Sequence, residues 1–96
     1  MTVSFHPTAE LELKEAAFFY EAAAHGLGQA FIAEVERALD QIAAYPTSSP
    51  AIQGVVRKKT LLRFPYSILY STDAAIVRVL AIANQRRRPF YWTGRQ

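Results

Sequence analysis

The sequence predicts an α+β domain in which an N-terminal strand and an antiparallel helical hairpin pack on a twisted antiparallel sheet of about four strands. Apolar residues recur every three or four positions between residues 8 and 44, as in amphipathic helices. From residue 55 onward, short apolar runs rich in β-branched and aromatic residues alternate with turn residues, as in strands joined by hairpins. With 96 residues, about half of them apolar, residues 1–96 are expected to form a single domain.

The first elements are a short strand and a helix. The alternating segment Val3–Phe5 precedes Pro7, which suits the first turn of a helix, and Thr8 can cap the exposed amides there. The helix ends at His25 and Gly26, because glycine readily adopts the left-handed conformation of a helix end. Its apolar face is predicted to comprise Leu13, Ala16, Ala17, Tyr20 and Ala24.

A second helix is predicted from about Gly28 to Ala44, with Glu34 mostly outside the apolar stripe. The stripe comprises Phe31, Val35, Ala38, Leu39 and Ile42. Only a few residues connect the two helices, so they are expected to pack as an antiparallel hairpin. The segment Tyr45–Pro50 contains two prolines and is predicted to be a loop.

Three runs, VVRKKTLLRF, YSILYS and AIVRVLAIA, are predicted to form antiparallel strands. Turns are expected at Phe64–Pro65 and at Thr72–Ala74. The run Ile76–Ala83 is apolar on both faces except at Arg78, as expected of an internal strand covered by helices.

Charge is divided between the two halves of the chain. Residues 1–54 hold two basic and seven acidic residues, a net charge of −5, whereas residues 55–96 hold nine basic residues and one acidic residue, a net charge of +8. Such asymmetry indicates an anionic partner for the basic half. The segment Arg86–Arg88, followed by Pro89 and three aromatic residues, favours a binding role over a purely solubilising one. The run Arg57–Lys59 is equally consistent with a charged, protected edge strand.

Several classes of protein are not favoured by the sequence. The chain has no cysteine, no histidine pair with metal-ligand spacing, and no glycine-rich phosphate loop, so no metal and no cofactor is expected. No apolar run approaches the ~18 residues of a membrane span, and the first ten residues do not resemble a signal peptide. We therefore expect a cytoplasmic protein without a membrane partner.

The stretches FHPTAELELKEAAFFYEAAAHGLGQAFIAEVERALDQI, LLRFPYSILY and LAIANQRRRPFYW resemble the RelE/ParE superfamily, the toxins of bacterial type II toxin–antitoxin systems. The resemblance covers nearly the whole chain. It implies a helical hairpin on an antiparallel sheet, growth inhibition, and neutralisation by a cognate antitoxin from the same operon. The expected target is DNA gyrase for ParE-like members, and mRNA in the ribosome for RelE-like members.

The resemblance also distinguishes the two branches. RelE-like members cut RNA with lysine, arginine and tyrosine, and in an alignment on YSILY one arginine position falls on Ser67 and one lysine position on Leu61. Serine cannot supply the fixed charge of an arginine to a transition-state phosphorane. The ParE-like branch is therefore favoured, and the protein is expected not to be an enzyme. If it is a nuclease, the candidate catalytic residues are Lys59, Arg63, Arg86 and Tyr91.

Three functions remain open from the sequence: a gyrase-binding toxin, a ribosome-dependent mRNA endoribonuclease, and a non-catalytic nucleic-acid-binding module. In each case the basic half is expected to provide the surface for the target or for an acidic, partly disordered antitoxin. The predicted binding residues are Arg57, Lys58, Lys59, Arg63, Arg86, Arg87, Arg88, Tyr91 and Trp92. The three C-terminal aromatic rings could instead close one edge of the core.

Overall fold

The computed structural model describes residues 1–95 and has an α+β fold, as the sequence predicts. The elements in chain order are β1 (Thr2–Phe5), α1 (Pro7–Ala23), α2 (Leu27–Ala44), β2 (Ala51–Gln53), β3 (Val56–Thr60), β4 (Tyr66–Asp73) and β5 (Ile76–Asn84). Within the described range, neither helix is long and apolar enough to cross a membrane.

The sheet differs from the prediction in strand number and in direction. It has five strands in the order β1-β5-β4-β3-β2, and β1 runs parallel to β5. The helical hairpin carries the chain from β1 at one edge of the sheet to β2 at the opposite edge. Strands β2 to β5 then alternate in direction back across the sheet, and β5 arrives beside β1 running the same way. The additional strand β2 has three residues and pairs with β3 at only two positions, too short a run for periodicity to reveal.

The helices cover one face of the sheet and bury the larger core against it. Phe31, Val35 and Ile42 of α2 and Ala16 of α1 pack on alternate residues of β4 and β5, as the apolar spacing predicts. Tyr20 is partly buried and lies 4.8–6.1 Å, centroid to centroid, from the rings of Phe31, Phe64 and Tyr66. Ala24 lies outside this core, because α1 ends at Ala23.

Helix α1 is capped differently from the sequence-based prediction. Its N-cap is His6, whose Nδ1 accepts a hydrogen bond of 3.1 Å from the amide of Thr8, so Thr8 is capped and does not act as the cap. At the other end of the hairpin, Glu21 accepts hydrogen bonds from the amides of Gly26 and Gly28. These bonds, chiefly the one from Gly26, lower the pKa of the Glu21 carboxyl.

Glu34 is buried, contrary to the prediction that it lies mostly outside the packed face of α2. Its carboxylate accepts hydrogen bonds from the amides of Leu62 and Arg63 at 2.5 and 3.1 Å. These amides belong to the turn between β3 and β4 and have no strand partner. A carboxylate at this position replaces water as their acceptor, and so fixes the turn against α2.

Candidate functional site

The C-terminal segment, residues 85–95, covers the sheet face that the helices leave open. Three hydrogen bonds set its course at the end of β5: the Gln85 amide donates to the Pro65 carbonyl at 2.9 Å, and the amides of Arg86 and Arg87 donate to Asn84. Trp92 then packs against Leu69, within a second, smaller core that includes Ala81 and Ala83. The segment is therefore a packed part of the fold.

Glu12 of α1 anchors this segment. Its carboxylate accepts a hydrogen bond of 2.8 Å from the Tyr91 hydroxyl and two from the Arg95 guanidinium, at 2.8 and 3.1 Å. The Glu12 and Arg95 side chains are only 11% and 14% exposed. Two charges so far removed from water are stable only if they are paired and hydrogen-bonded, as they are here.

The same carboxylate completes the edge of β5. Strand β1 pairs with β5 only as far as Val79, and a bulge places Leu80 as an extra residue opposite β4. Beyond this point the Ile82 amide donates to Glu12 at 3.1 Å, and Arg95 donates to the Leu80 carbonyl at 3.0 Å. The Glu12–Arg95 pair thus supplies the acceptor and the donor that a neighbouring strand would have offered to the backbone of β5. This role explains why two charged side chains are buried here.

Tyr91 lies between two arginines as well as against Glu12. The guanidinium carbons of Arg87 and Arg95 are 3.8 and 5.1 Å from its ring centroid. Burial, together with the hydrogen bond to Glu12, raises the pKa of Tyr91 well above its usual value of 10.0. Burial alone would lower the pKa of Arg95, but the hydrogen bond and charge of Glu12 outweigh it and raise that pKa. Tyr91 is therefore a neutral phenol.

Between the C-terminal segment and the open sheet face lies a cavity of about 270 Å³, which we call the C-terminal cleft. Its apolar wall comes from Ile52, Leu69, Ala83, Pro89, Phe90, Tyr91 and Trp92, and its polar groups from Lys58, Ser67, Asn84, Gln85, Arg87 and Arg88. Three of these residues are cationic. Among residues 1–95, no carboxylate contributes to the lining, so the cleft is suited to an anion.

A second basic surface, the α2–β3 groove, lies on the helix-covered side of the sheet. Its lining includes three cations, Arg37 of α2, Lys59 of β3 and Arg63 of the following turn. It also includes one carboxylate, that of Glu34, which already accepts hydrogen bonds from the turn amides. The adjoining Leu62 is 97% exposed. Within residues 1–95, none of these three cations forms an ion pair. The groove therefore combines unpaired positive charge with a projecting apolar side chain.

The predicted binding residues are thus divided between two surfaces. Alternation along β3 places Lys58 opposite Leu69 on the open face and Lys59 opposite Ile68 on the helix face. The C-terminal cleft contains Lys58, Arg87, Arg88, Tyr91 and Trp92, whereas the α2–β3 groove contains Lys59 and Arg63. Trp92 is only 5% exposed, so little of its ring is available to a partner.

Two other predicted residues contribute to neither surface. The Arg57 side chain is engaged within the protein: its guanidinium donates to the carbonyls of Ser49 and Thr47 at 2.7 and 3.3 Å. These hydrogen bonds connect the loop after α2 to the sheet. Arg86 is exposed at the end of β5, and it lines neither the cleft nor the groove.

The four candidate nuclease residues are not gathered in one place. Lys59 and Arg63 line the α2–β3 groove, Tyr91 lines the C-terminal cleft, and Arg86 is in neither. The two positions that depart from the RelE-like pattern are both buried: Ser67 is 2% exposed and Leu61 is 5% exposed. The Ser67 hydroxyl donates to Thr60 at 3.4 Å, and Leu61 belongs to the main core.

Sequence reasoning missed the parts played by Glu12 and Arg95. The charge pattern counts Glu12 only among the seven acidic residues of the first half and Arg95 only among the nine basic residues of the second half. One available signal was the position of Glu12 between Ala9 and Ala16, which places it on the buried stripe of α1. The partner on the C-terminal segment is 83 residues away in sequence, and no local pattern identifies it.

The described residues contain no group of three or more histidine, cysteine, aspartate or glutamate side chains arranged to hold a metal ion. The arrangement contains positive charge, hydrogen-bond donors and aromatic surface in two separate depressions. These features are suited to binding anionic or acidic partners.

Comparison with known proteins gives two further findings. The family model of the ParE toxin of the type II toxin–antitoxin system, parDE, matches residues 3–89. A solved structure of the chromosomal ParDE toxin–antitoxin system from P. aeruginosa is similar in fold, with a TM-score of 0.61 and 18% sequence identity, over 88% of this chain and 95% of that chain. No curated protein matches the sequence significantly. Because the family model covers nearly the whole chain, this protein belongs to the ParE toxin family, within the RelE/ParE superfamily.

Proposed function

We propose that this toxin inhibits growth by binding DNA gyrase, without cutting RNA, and that a cognate antitoxin neutralises it. The observation that carries the proposal is the match to the ParE toxin family over residues 3–89, since gyrase is the expected target of that branch. Gyrase and a co-encoded antitoxin are both cytoplasmic, so the toxin is proposed to act in the cytoplasm.

The positions of the basic residues support binding over cleavage. RNA cleavage at the 2′-hydroxyl needs a base, an acid and positive charge converging on one phosphate. Here Lys59 and Arg63 lie in a different depression from Tyr91. Tyr91 is also unsuited to act as a base, because its raised pKa keeps the phenol protonated and its hydroxyl is engaged by Glu12.

The antitoxin is proposed to be an acidic segment that folds on the toxin. Such a segment must bury apolar area to offset the entropy that it loses on ordering. The α2–β3 groove supplies both requirements, because the cations Arg37, Lys59 and Arg63 flank the exposed side chain of Leu62. We therefore expect Leu62→Ser and Lys59→Glu each to weaken antitoxin binding roughly tenfold, the effect of losing about 1.4 kcal/mol. Lys14→Glu, on the exposed surface of α1, should leave binding unchanged.

The target is tested with purified protein in two assays, supercoiling of relaxed plasmid by gyrase and translation in a ribosome extract. We expect loss of supercoiling, or trapped cleaved DNA, at toxin concentrations that leave mRNA intact. Codon-phased cuts in mRNA with normal gyrase activity would overturn the proposal in favour of a RelE-like endoribonuclease.

The basic surface of the C-terminal segment is tested by charge reversal. The double variant Arg86→Glu/Arg87→Glu should lose gyrase inhibition and growth inhibition, because both side chains are exposed at the end of β5. The double variant Lys14→Glu/Arg37→Glu changes the net charge equally on the helices and, when both variants are expressed without antitoxin, should remain toxic. If both double variants inhibit gyrase like the unmodified protein, the C-terminal arginines do not contact the target.

A further inference from the structure

We propose that the C-terminal cleft binds a strand of nucleic acid, with phosphate groups among Lys58, Arg87 and Arg88 and a base against Phe90. The inference goes beyond the proposed function and does not depend on it. Binding itself is a property of the isolated toxin and is tested without gyrase.

The charge of the cleft is the first argument. Arg87 and Arg88 belong to the C-terminal segment, and Lys58 belongs to β3, at least 29 positions earlier in the sequence. The fold therefore brings Lys58 beside the two arginines. Among residues 1–95, none of the three is paired with a carboxylate. Each side chain is exposed, and can therefore reach a phosphate without first breaking an ion pair.

The hydrogen-bonding groups and the size of the cleft are the second argument. Asn84 and Gln85 contribute amide groups to the lining, and such groups bond to base edges. The volume of about 270 Å³ lies near the lower end of the ~300–1,000 Å³ typical of small-molecule sites. This is space for one nucleotide, while neighbouring phosphates of the strand would meet the cations at the rim.

The conformation of Phe90 is the third argument. Its backbone has φ = 60°, a left-handed conformation that is costly for a bulky residue. The Phe90 carbonyl accepts hydrogen bonds from the amide and hydroxyl of Thr93 at 3.0 and 2.6 Å, which hold this conformation. As a result the ring lies in the cleft wall, 5.9 Å from the Trp92 ring and 47% exposed. An exposed aromatic ring beside cations is the arrangement on which single-stranded bases stack.

The test uses the full chain and fluorescein-labelled hexamers of deoxythymidylate and of uridylate, with anisotropy as the measure of binding. If three phosphates are neutralised, the slope of log K against log salt is about −2, so raising salt from 50 to 200 mM weakens binding roughly 20-fold. Comparison of the two hexamers distinguishes DNA from RNA as the preferred strand. Trp92 is the only tryptophan in the sequence and lines the cleft, so a change in its emission on binding locates the strand there.

Matched variants show whether the strand binds in the C-terminal cleft or in the α2–β3 groove. Lys58→Ala and Arg88→Ala should each make the salt slope less steep by about 0.7, whereas Lys59→Ala and Arg63→Ala remove the same charge from the α2–β3 groove and should change nothing. Phe90→Leu should weaken binding about 5- to 150-fold, the range for loss of one stacked base. Phe90→Gly should do so while keeping Tm close to that of the unmodified protein, because glycine relieves the left-handed backbone.

Three outcomes would overturn the inference: no saturable binding of either hexamer at 50 mM salt, equal loss of binding in the groove variants, or equal competition by hexaglutamate. The last would identify a general anion site. Gyrase inhibition that persists in Lys58→Ala and Arg88→Ala would leave the proposed function intact, so the two failures can be distinguished.

Discussion

Replacing Glu12 with glutamine is expected to destabilise the protein by about 3 kcal/mol and to release the C-terminal segment. The variant keeps the shape of the side chain but removes its charge. The Arg95 guanidinium keeps the Leu80 carbonyl as an acceptor but loses its counter-charge, at a site where its side chain is 14% exposed. Removing one partner of a buried ion pair typically costs ~3–5 kcal/mol. We take the lower end, because the Arg95 side chain, at 14% exposed, is not fully removed from water.

The destabilisation has two measurable signatures. For a domain of this size, ~3 kcal/mol corresponds to a fall in Tm of roughly 12–24 °C, and urea unfolding followed by Trp92 emission should show a matching fall in the midpoint. Hydrogen exchange at the Ile82 amide should accelerate further, because Glu12 is its acceptor at the open edge of β5.

Two controls distinguish the ion pair from a general effect on α1. Glu15→Gln removes an exposed carboxylate from the same helix and should change stability by less than ~0.5 kcal/mol. In a double-mutant cycle, Glu12→Gln with Arg95→Gln should lose less than the sum of the single variants, by roughly 1–3 kcal/mol. A Glu12→Gln protein as stable as Glu15→Gln, or strictly additive losses, would refute the anchoring role of the Glu12–Arg95 pair.

Three other predictions concern Tyr91, the helical hairpin and the β4–β5 turn. Folded Tyr91 keeps its proton at pH values where an unfolded tyrosine loses it. The free energy of unfolding should therefore fall as pH rises above about 10, by up to ~1.4 kcal/mol per pH unit. Tyr91→Phe should flatten this fall in urea unfolding between pH 9 and 11.5, and parallel curves for the two proteins would contradict the prediction. Gly28→Ala should lower the free energy of unfolding by ~1–3 kcal/mol in denaturant titration, because the new methyl group would collide with the Ala17 carbonyl oxygen where the helices cross. The control Gln29→Ala, at an exposed position, should be neutral, and equal stabilities of the two variants would exclude a close crossing. Ala74→Gly should raise Tm and stabilise the protein by up to ~1 kcal/mol, because glycine adopts the left-handed φ of 53° without strain. Ala75→Gly should give no such gain, and a lower Tm for Ala74→Gly would count against strain in this turn.

The elements of the fold that have a local, periodic pattern of apolar residues were predictable from the sequence. The stripe from Phe31 to Ile42 and the alternation in YSILY predict elements that the structure contains. The mixed sheet was not predictable, because whether β1 lies parallel to β5 depends on the path of the intervening hairpin. His6, in place of Thr8, is the N-cap because the helix begins at Pro7, two residues earlier than a Thr8 cap implies.

The candidate site was less predictable than the fold. The sequence by itself determined the types of residue available: a basic second half, aromatic rings after Arg88, and a serine at position 67 where the RelE-like pattern has arginine. Alternation along β3 places Lys58 and Lys59 on opposite faces of the sheet. Only the tertiary structure decided which cations each then meets: Lys58 shares the cleft with Arg87 and Arg88, and Lys59 shares the groove with Arg37 and Arg63. It also decided which charges are internal, as for Glu12 and Arg95. Charge is a property of composition, but proximity depends on packing between segments distant in the chain, and no local sequence pattern encodes that packing.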